Sequence, residues 1–252
     1  LSDCKPILYN NKVTWYVTVQ ESTPIFFSID VSTTQKFESY NNQNMVDYEG
    51  FKDFETSSEE GEIQIYKYTG NSENVSIPST NYPWIKFDMV IGLFKDRTNI
   101  KKVTLPEGMT IIPKETFSGC TSLTSINIPS TIKTIGERAF NNTGLTKITV
   151  PNTVTTIEAS AFRNNKELIT VTLPSEITTL SEYIFYNCPK LTNVAIPSTV
   201  TSIGDLAFAM TGITKLNIPS SVKTIGEQAF YYCQNLKGTV TIPKSVTFIG
   251  SK

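Results

Sequence analysis

The chain of 252 residues contains no histidine, and this absence removes several kinds of chemistry at once. Ser-His-Asp and Cys-His catalytic groups, histidine metal sites and histidine pH switches all require an imidazole. The chain also has no large excess of charge of either sign, since 22 basic and 23 acidic side chains leave a formal net charge of −1. No basic field therefore favours nucleic acid or an anionic membrane.

Long hydrophobic runs and phosphate-binding loops are also missing. Apolar residues make up 39% of the chain, and no run of them approaches the ~20 residues that a membrane-spanning helix needs. No glycine-rich phosphate loop is present, and nothing in the sequence positions a pair of carboxylates for glycoside chemistry. We expect a protein with no transmembrane segment and no cofactor, and one that is not an enzyme.

One phrase recurs along the chain from about residue 100 onward. Phenylalanines return every 22 or 23 residues, and prolines keep the same period 11 residues ahead of each of them. A register held over so many copies predicts a solenoid. The repeated phenylalanines are Phe94, Phe117, Phe140, Phe162, Phe185, Phe208 and Phe230.

Each copy has the pattern of one solenoid coil. In the stretch that begins at Leu123, Ile126 and Ile128 are two residues apart and therefore lie on the same face of a strand. Pro129 ends that strand because proline has no N–H for the ladder. A second apolar pair turns inward on the return side, and Phe140 fills the interior. No copy can bury these side chains alone, so neighbouring coils must stack.

The repeat divides the chain into two parts. We predict a solenoid over residues 71–252, with a divergent first coil at 75–100, and a β-rich cap or small domain over residues 1–70. We expect a solvated loop in the acidic stretch from Glu55 to Glu62 and a short helix near Met45–Phe54. The strand-like runs of the first 70 residues are Val13–Val19, Ile25–Val31 and Glu62–Tyr68.

Three cysteines share one position of the repeat, three residues after the coil phenylalanine. At about 4.8 Å per coil, Cys120 and Cys188 are roughly 14 Å apart and Cys188 and Cys233 roughly 10 Å, whereas a disulfide needs Cα atoms within about 7 Å. We predict three free thiols. Cys4 differs, because Leu1-Ser-Asp-Cys4 is an imperfect match to a lipoprotein box, and a lipid anchor at Cys4 stays an open alternative.

The copies of Leu-x-x-Ile-x-Ile-Pro followed by Val-x-x-Ile-Gly-x-x-Ala-Phe-x-x-Cys resemble the BspA-like class of leucine-rich repeats. Leu191–Phe208 and the ending Phe230-Tyr-Tyr-Cys233 are clear examples. The resemblance implies a right-handed leucine-rich-repeat solenoid with a parallel β-sheet on its inner face and short strands or turns on its return side. It also implies a secreted or cell-surface protein that binds a partner, as adhesins do.

The first candidate binding surface consists of two columns of polar side chains, which point from the inner-face strands into solvent. Threonine and asparagine there have an alternative explanation, since both also serve β-propensity and solubility. A second candidate is formed by Tyr183, Tyr186, Tyr231 and Tyr232, which flank coil phenylalanines. The columns contain Lys102, Ser125, Lys147, Thr170, Asn193 and Lys215, and beside them Thr104, Asn127, Thr149, Thr172 and Asn217.

The leading hypothesis is a secreted or surface-exposed protein that binds a macromolecular partner, with protein favoured over glycan. One alternative is a structural or assembly module. Another is a glycan-binding surface protein with its specificity in the N-terminal segment. We favour a monomer over a homo-oligomer, although a predicted strand near Val240–Ile242 would offer an unpaired edge to a second copy.

Overall fold

A computed structural model of the chain describes residues 5–9, 12–17, 25–30, 52–59, 62–77 and 86–251. These residues form short strands joined by turns and contain no helix, so none of them forms a helix that could cross a membrane. The strands are β1 (Lys5–Tyr9), β2 (Lys12–Val17), β3 (Ile25–Asp30), β4 (Phe54–Glu59), β5 (Glu62–Tyr68), β6 (Asn74–Ser76), β7 (Lys86–Met89), β8 (Lys102–Thr104), β9 (Ile111–Ile112), β10 (Ser125–Asn127), β11 (Thr134–Ile135), β12 (Lys147–Thr149), β13 (Thr156–Ile157), β14 (Thr170–Thr172), β15 (Thr179–Leu180), β16 (Ser202–Ile203), β17 (Thr224–Ile225) and β18 (Phe248–Ile249).

The solenoid predicted from the repeat is confirmed, as a parallel β-solenoid of stacked coils. Each coil has a front wall, where β6, β8 and β10 pair in parallel and β12 pairs with β14. A back wall follows, with parallel sheets β9–β11–β13 and β15–β16–β17–β18. Equivalent residues of neighbouring coils are directly opposite, as Ile126 is to Val103 and Ile135 to Ile157. The 22–23-residue period therefore sets the pairing register.

The repeated phenylalanines form one ladder along the axis of the solenoid. Adjacent rings from Phe94 to Phe230 have centroids 5.4–5.7 Å apart. All but Phe230 are fully buried, and Phe230 is partly buried. The ladder joins the coils into one hydrophobic core, which the leucine, isoleucine and valine side chains of the front and back walls complete.

A third wall surrounds each coil phenylalanine, and its backbone has an unusual conformation. The residues two before and two after each phenylalanine have positive φ, from Gly92 and Asp96 in the first coil to Gln228 and Tyr232 in the last. As a result, the N–H groups of alternate residues point toward the next coil. The N–H of Phe117, for example, donates to the carbonyl of Ala139 at 2.9 Å. We call this segment the phenylalanine wall.

Glycines of the repeat allow close approach between coils. A Cβ atom on Gly136 or Gly204 would be 2.6 Å from a backbone nitrogen of the preceding coil. Likewise, a Cβ on Gly144 would collide with the carbonyl oxygen of Thr121, and one on Gly212 with that of Pro189. Neither Gly144 nor Gly212 has positive φ, so close approach between coils, rather than a left-handed turn, requires glycine at these two positions.

The N-terminal strands confirm the predicted β-rich segment in part. β2, β3 and β5 coincide with the three strand-like runs to within two residues, and β1–β2–β3 is an antiparallel sheet. The loop expected from Glu55 to Glu62 is wrong, because β4 and β5 form a hairpin there in which Glu55 and Lys67 are cross-strand partners. Of the helix range Met45–Phe54, residues 45–51 lie outside the described residues, and Phe54 begins β4.

The hairpin β4–β5 continues directly into the solenoid core. β5 pairs in parallel with β7, and the ring of Tyr68 lies 5.2 Å from that of Phe94. Arg97 donates to the carbonyl oxygen of Tyr68 at 2.7 Å and lies over its ring. Core contacts therefore cross residue 70, and the division into residues 1–70 and 71–252 stays a prediction.

Candidate binding surfaces

The front wall corresponds to the predicted inner face, and it presents the two predicted columns to solvent. Lys102, Ser125, Lys147, Thr170, Asn193 and Lys215 of the first column are all exposed, and the second column is exposed except at the half-buried Thr104. Alternation along each strand produces this arrangement, because Val103, Ile148 and Val171 between the polar residues are buried in the core.

Asn127 is the one predicted column residue in the described part of the chain whose side chain hydrogen-bonds the backbone of the preceding coil. Its Oδ1 accepts from the N–H of Leu105 at 2.8 Å, and its Nδ2 donates to the carbonyl of Leu105 at 3.3 Å. The Asn127 amide thus replaces part of the strand ladder. Its substitution would disturb the stacking of two coils as well as any bound partner.

The front wall opens in the last coils. After β14 a single bridge joins Thr170 to Asn193, and residues 193–195, 215–217 and 239–241 form no strand. The strand predicted near Val240–Ile242 is therefore not formed. A groove of about 550 Å³ lies here, lined by polar side chains such as Asn193, Lys215 and Asn217 and by apolar ones such as Leu216. Backbone groups left out of the ladder can hydrogen-bond a ligand.

The three predicted free thiols are confirmed, and they have a structural role. The Sγ atoms of Cys120, Cys188 and Cys233 each donate to the carbonyl of the coil phenylalanine that precedes them by 25 or 26 residues, at 3.0–3.2 Å. Asn165 occupies the same position in another coil and donates to Phe140 at 2.8 Å. We call this repeat position, three residues after the coil phenylalanine, the slot. Its hydrogen bonds join neighbouring coils where the phenylalanine wall meets the front wall.

Burial makes these thiols poor nucleophiles and poor metal ligands. Desolvation raises the pKa of Cys120 and of Cys188 to about 12 and also raises the pKa of Cys233. In the described ranges, no three Cys, Asp or Glu side chains come together as a metal site. The cysteine column therefore supplies packing and hydrogen bonds rather than chemistry.

The four tyrosines of the second candidate surface lie on the phenylalanine wall as two pairs. The rings of Tyr183 and Tyr186 are 5.6 Å apart, and the guanidinium of Arg163 lies over both, 5.3 and 4.9 Å from their centroids. Tyr231 and Tyr232 have centroids 6.0 Å apart and are 54% and 56% exposed. The first pair already binds a cation of the chain, and the second faces solvent.

Ion pairs cover the phenylalanine wall in the early coils. Lys95 Nζ lies 2.6 Å from Glu115 Oε2, and Lys114 Nζ lies 2.5 Å from Glu137 Oε2. Arg138 joins the two glutamates, 3.5 Å from Glu115 and 3.3 Å from Glu137. The hydrogen bond from Lys95 lowers the pKa of Glu115 and raises that of Lys95.

Left-handed backbone on the phenylalanine wall is the main feature that the sequence reasoning missed. Gly119, Asn142 and Asn164 are residue types that favour positive φ, and their positions two residues after successive phenylalanines were a usable signal. Tyr183 and Leu206 adopt the same conformation, which is rare for bulky side chains. Because tyrosine and leucine are not residue types that favour positive φ, the sequence gives no sign of left-handed backbone at Tyr183 and Leu206.

Comparison with known proteins shows the relatives of this chain. The family model for the BspA type leucine rich repeat region matches residues 91–213 and 201–252, in six copies. No curated protein sequence is similar enough to match.

Two solved structures have a similar fold. A leucine-rich repeat protein from Bacteroides ovatus has 24% identity and a TM-score of 0.59, over 78% of this chain and 65% of the other. The leucine-rich repeat protein of T. pallidum has 23% identity and a TM-score of 0.58, over 79% of this chain and 84% of the other. The present chain thus spans less than two thirds of the length of the Bacteroides protein.

Proposed function

Because this chain belongs to the BspA-type leucine-rich repeat family, we propose that it is a non-enzymatic, secreted or cell-surface protein that binds a protein partner through its front wall. Stacked repeats provide extended surfaces of this kind. The proposal depends chiefly on the two exposed columns, in which lysine, threonine and asparagine recur at one spacing over six coils. The groove at Asn193, Lys215 and Asn217 continues these columns.

The chemistry of the front wall supports recognition of a polar, extended surface. Three exposed lysines, Lys102, Lys147 and Lys215, recur along one column and have no ion-pair partner among the described residues. Large aromatic residues, which dominate many tight interfaces, are absent from both columns. We therefore expect many modest polar contacts over a long surface rather than one deep anchor.

An array of immobilised extracellular-matrix proteins and glycans tests the proposal with the full chain. We expect binding to a protein and a loss of about tenfold or more when Lys102, Lys147 and Lys215 are changed together to glutamate, since charge reversal in an interface is costly. The matched control changes the exposed back-wall lysines Lys133 and Lys223 to glutamate and should bind as the unaltered chain does.

Two results would contradict the proposal. Binding to glycans alone would favour a glycan-binding surface protein. Equal losses in the front-wall and back-wall variants would mean that the front wall is not the contact surface. Light scattering over a concentration series tests the assembly alternative, because a structural module would associate with itself in the absence of any partner.

A further inference from the structure

The side chains of the phenylalanine wall change character along the solenoid. At the two positive-φ positions, the first four coils carry only glycine or polar residues, among them Gly119, Asn142 and Asn164. The last three coils carry large apolar or aromatic residues at four of six such positions. With two neighbours, these form what we call the tyrosine patch: Tyr183, Tyr186, Leu206, Met210, Tyr231 and Tyr232.

The left-handed backbone makes this change informative. Glycine and asparagine tolerate positive φ, whereas bulky side chains rarely adopt it and are strained there. Leu206 has φ 52°, Met210 has φ 58° and Tyr232 has φ 56°, and all three are partly or largely exposed to solvent. Their side chains therefore gain no full burial within the chain to offset the strain. A role in contact with another molecule accounts for them.

Carboxylates beside the patch lack the ion pairs found earlier on the same wall. Glu182, Asp205 and Glu227 precede the coil phenylalanines by three residues and are exposed. In the early coils that position holds Lys114 and Glu137, which form an ion pair with each other. None of the three later carboxylates has an ion-pair partner among the described residues. The patch is therefore bordered by three carboxylates without ion pairs, of which Asp205 accepts the backbone N–H of Glu227 at 2.7 Å.

Arg163 shows how a cation binds to this wall. Its guanidinium lies over Tyr183 and Tyr186, within the distance at which the ring face attracts a cation. Tyr231 and Tyr232, farther along the same wall, have no such cation in the part of the chain that the structure describes. Glu227 lies at the acidic border of the same coil. A positively charged side chain from outside would find both an aromatic face and a carboxylate.

We propose that the tyrosine patch and its three bordering carboxylates are a docking surface for a segment of a partner protein that carries arginine or lysine together with apolar side chains. The inference deepens the proposed binding function, because it adds a second contact surface on a different wall and names the charge of its partner. Aromatic and apolar side chains supply the contact area, and the acidic border selects the sign of the charge.

Fluorescence anisotropy with two synthetic peptides tests this docking surface. The probe contains four Arg-Leu-Ser repeats, and its counterpart has glutamate in place of each arginine. We expect the unaltered chain to bind the arginine peptide at least about tenfold more tightly, with affinity falling as salt rises. The variant Glu182→Gln, Asp205→Asn, Glu227→Gln should lose about tenfold or more of that affinity.

A second variant tests the apolar part and is chosen to keep the fold. The changes Leu206→Ser, Met210→Asn and Tyr232→Asn introduce the residue types found at equivalent positions, as at Ser160 and Asn187. We expect an unchanged or higher melting temperature and an affinity for the arginine peptide at least about tenfold weaker.

The matched control changes the exposed back-wall lysines Lys133 and Lys223 to glutamine, and it should bind the arginine peptide normally whether or not the front wall binds a partner. The docking proposal is overturned if either patch variant binds like the unaltered chain or if both peptides bind equally. It is also overturned if light scattering shows that the unaltered chain, but not the Leu206→Ser, Met210→Asn, Tyr232→Asn variant, forms dimers without peptide. The occupant would then be a second copy.

Discussion

Replacing Phe185 with alanine should destabilise the solenoid more than any change at its surface. The ring is fully buried and has a ring neighbour on each side, Phe162 at 5.7 Å and Phe208 at 5.6 Å between centroids. Burying alanine in place of phenylalanine costs about 3–5 kcal/mol, and each lost aromatic contact adds about 0.5–1.5 kcal/mol to simple burial. The loss of two contacts places Phe185 in the upper part of the first range.

Urea unfolding followed by circular dichroism measures this free energy. A loss of about 4.5 kcal/mol corresponds to roughly 9–18 °C in melting temperature for a chain of this size. Phe230→Ala is the matched control, because Phe230 is only partly buried and contacts one coil phenylalanine, Phe208 at 5.5 Å. We expect about half the destabilisation there. Equal losses at the two sites, or an unchanged curve for Phe185→Ala, would refute the ladder as the source of stability.

Two further predictions concern close approach and thiol chemistry. Gly204→Ala should cost about 1–3 kcal/mol by overpacking, since the new Cβ would be 2.6 Å from the backbone nitrogen of Glu182, and a melting temperature equal to that of the unaltered chain would contradict this. Cys120 and Cys188, whose pKa is about 12 in the folded chain, should resist a thiol reagent at pH 8 until the chain unfolds. Because their pKa is raised by folding from about 9, stability should fall as the pH rises above 9, and rapid labelling of the folded chain at pH 8 would show that the slot is open.

The sequence predicted those parts of the fold that depend on side-chain periodicity. Apolar residues at fixed spacing must all reach one interior, so the step between Phe140 and Phe162 already determines which coils stack. The free state of Cys120 and Cys188 followed from the same step, because stacked coils hold equivalent residues too far apart for a disulfide. The exposed columns followed from alternation along each strand.

Features that depend on the backbone were not predictable in the same way. The acidic run that begins at Glu55 has few apolar residues, and it becomes a strand because β5 and Lys67 lie opposite it. Likewise, strand pairing of the front wall ends beyond Thr170, although the same polar columns continue through Asn193 and Lys215, so their residue types do not predict the break. The left-handed positions of the phenylalanine wall were hidden wherever Tyr183 or Leu206 replaced glycine or asparagine.

The hydrogen bonds of the phenylalanine wall make that wall electrically polar along the axis of the solenoid. From the first coil onward, alternate N–H groups donate to the following coil, as those of Phe94, Phe140 and Phe208 do, so the carbonyls that accept them all point back. In an ordinary sheet the peptide dipoles largely cancel, whereas here they add in one direction, as in a helix. Each additional coil lengthens the aligned row and separates its ends. The wall therefore presents partial negative charge toward the N-terminal coils, where Arg97 lies, and partial positive charge toward the C-terminal coils.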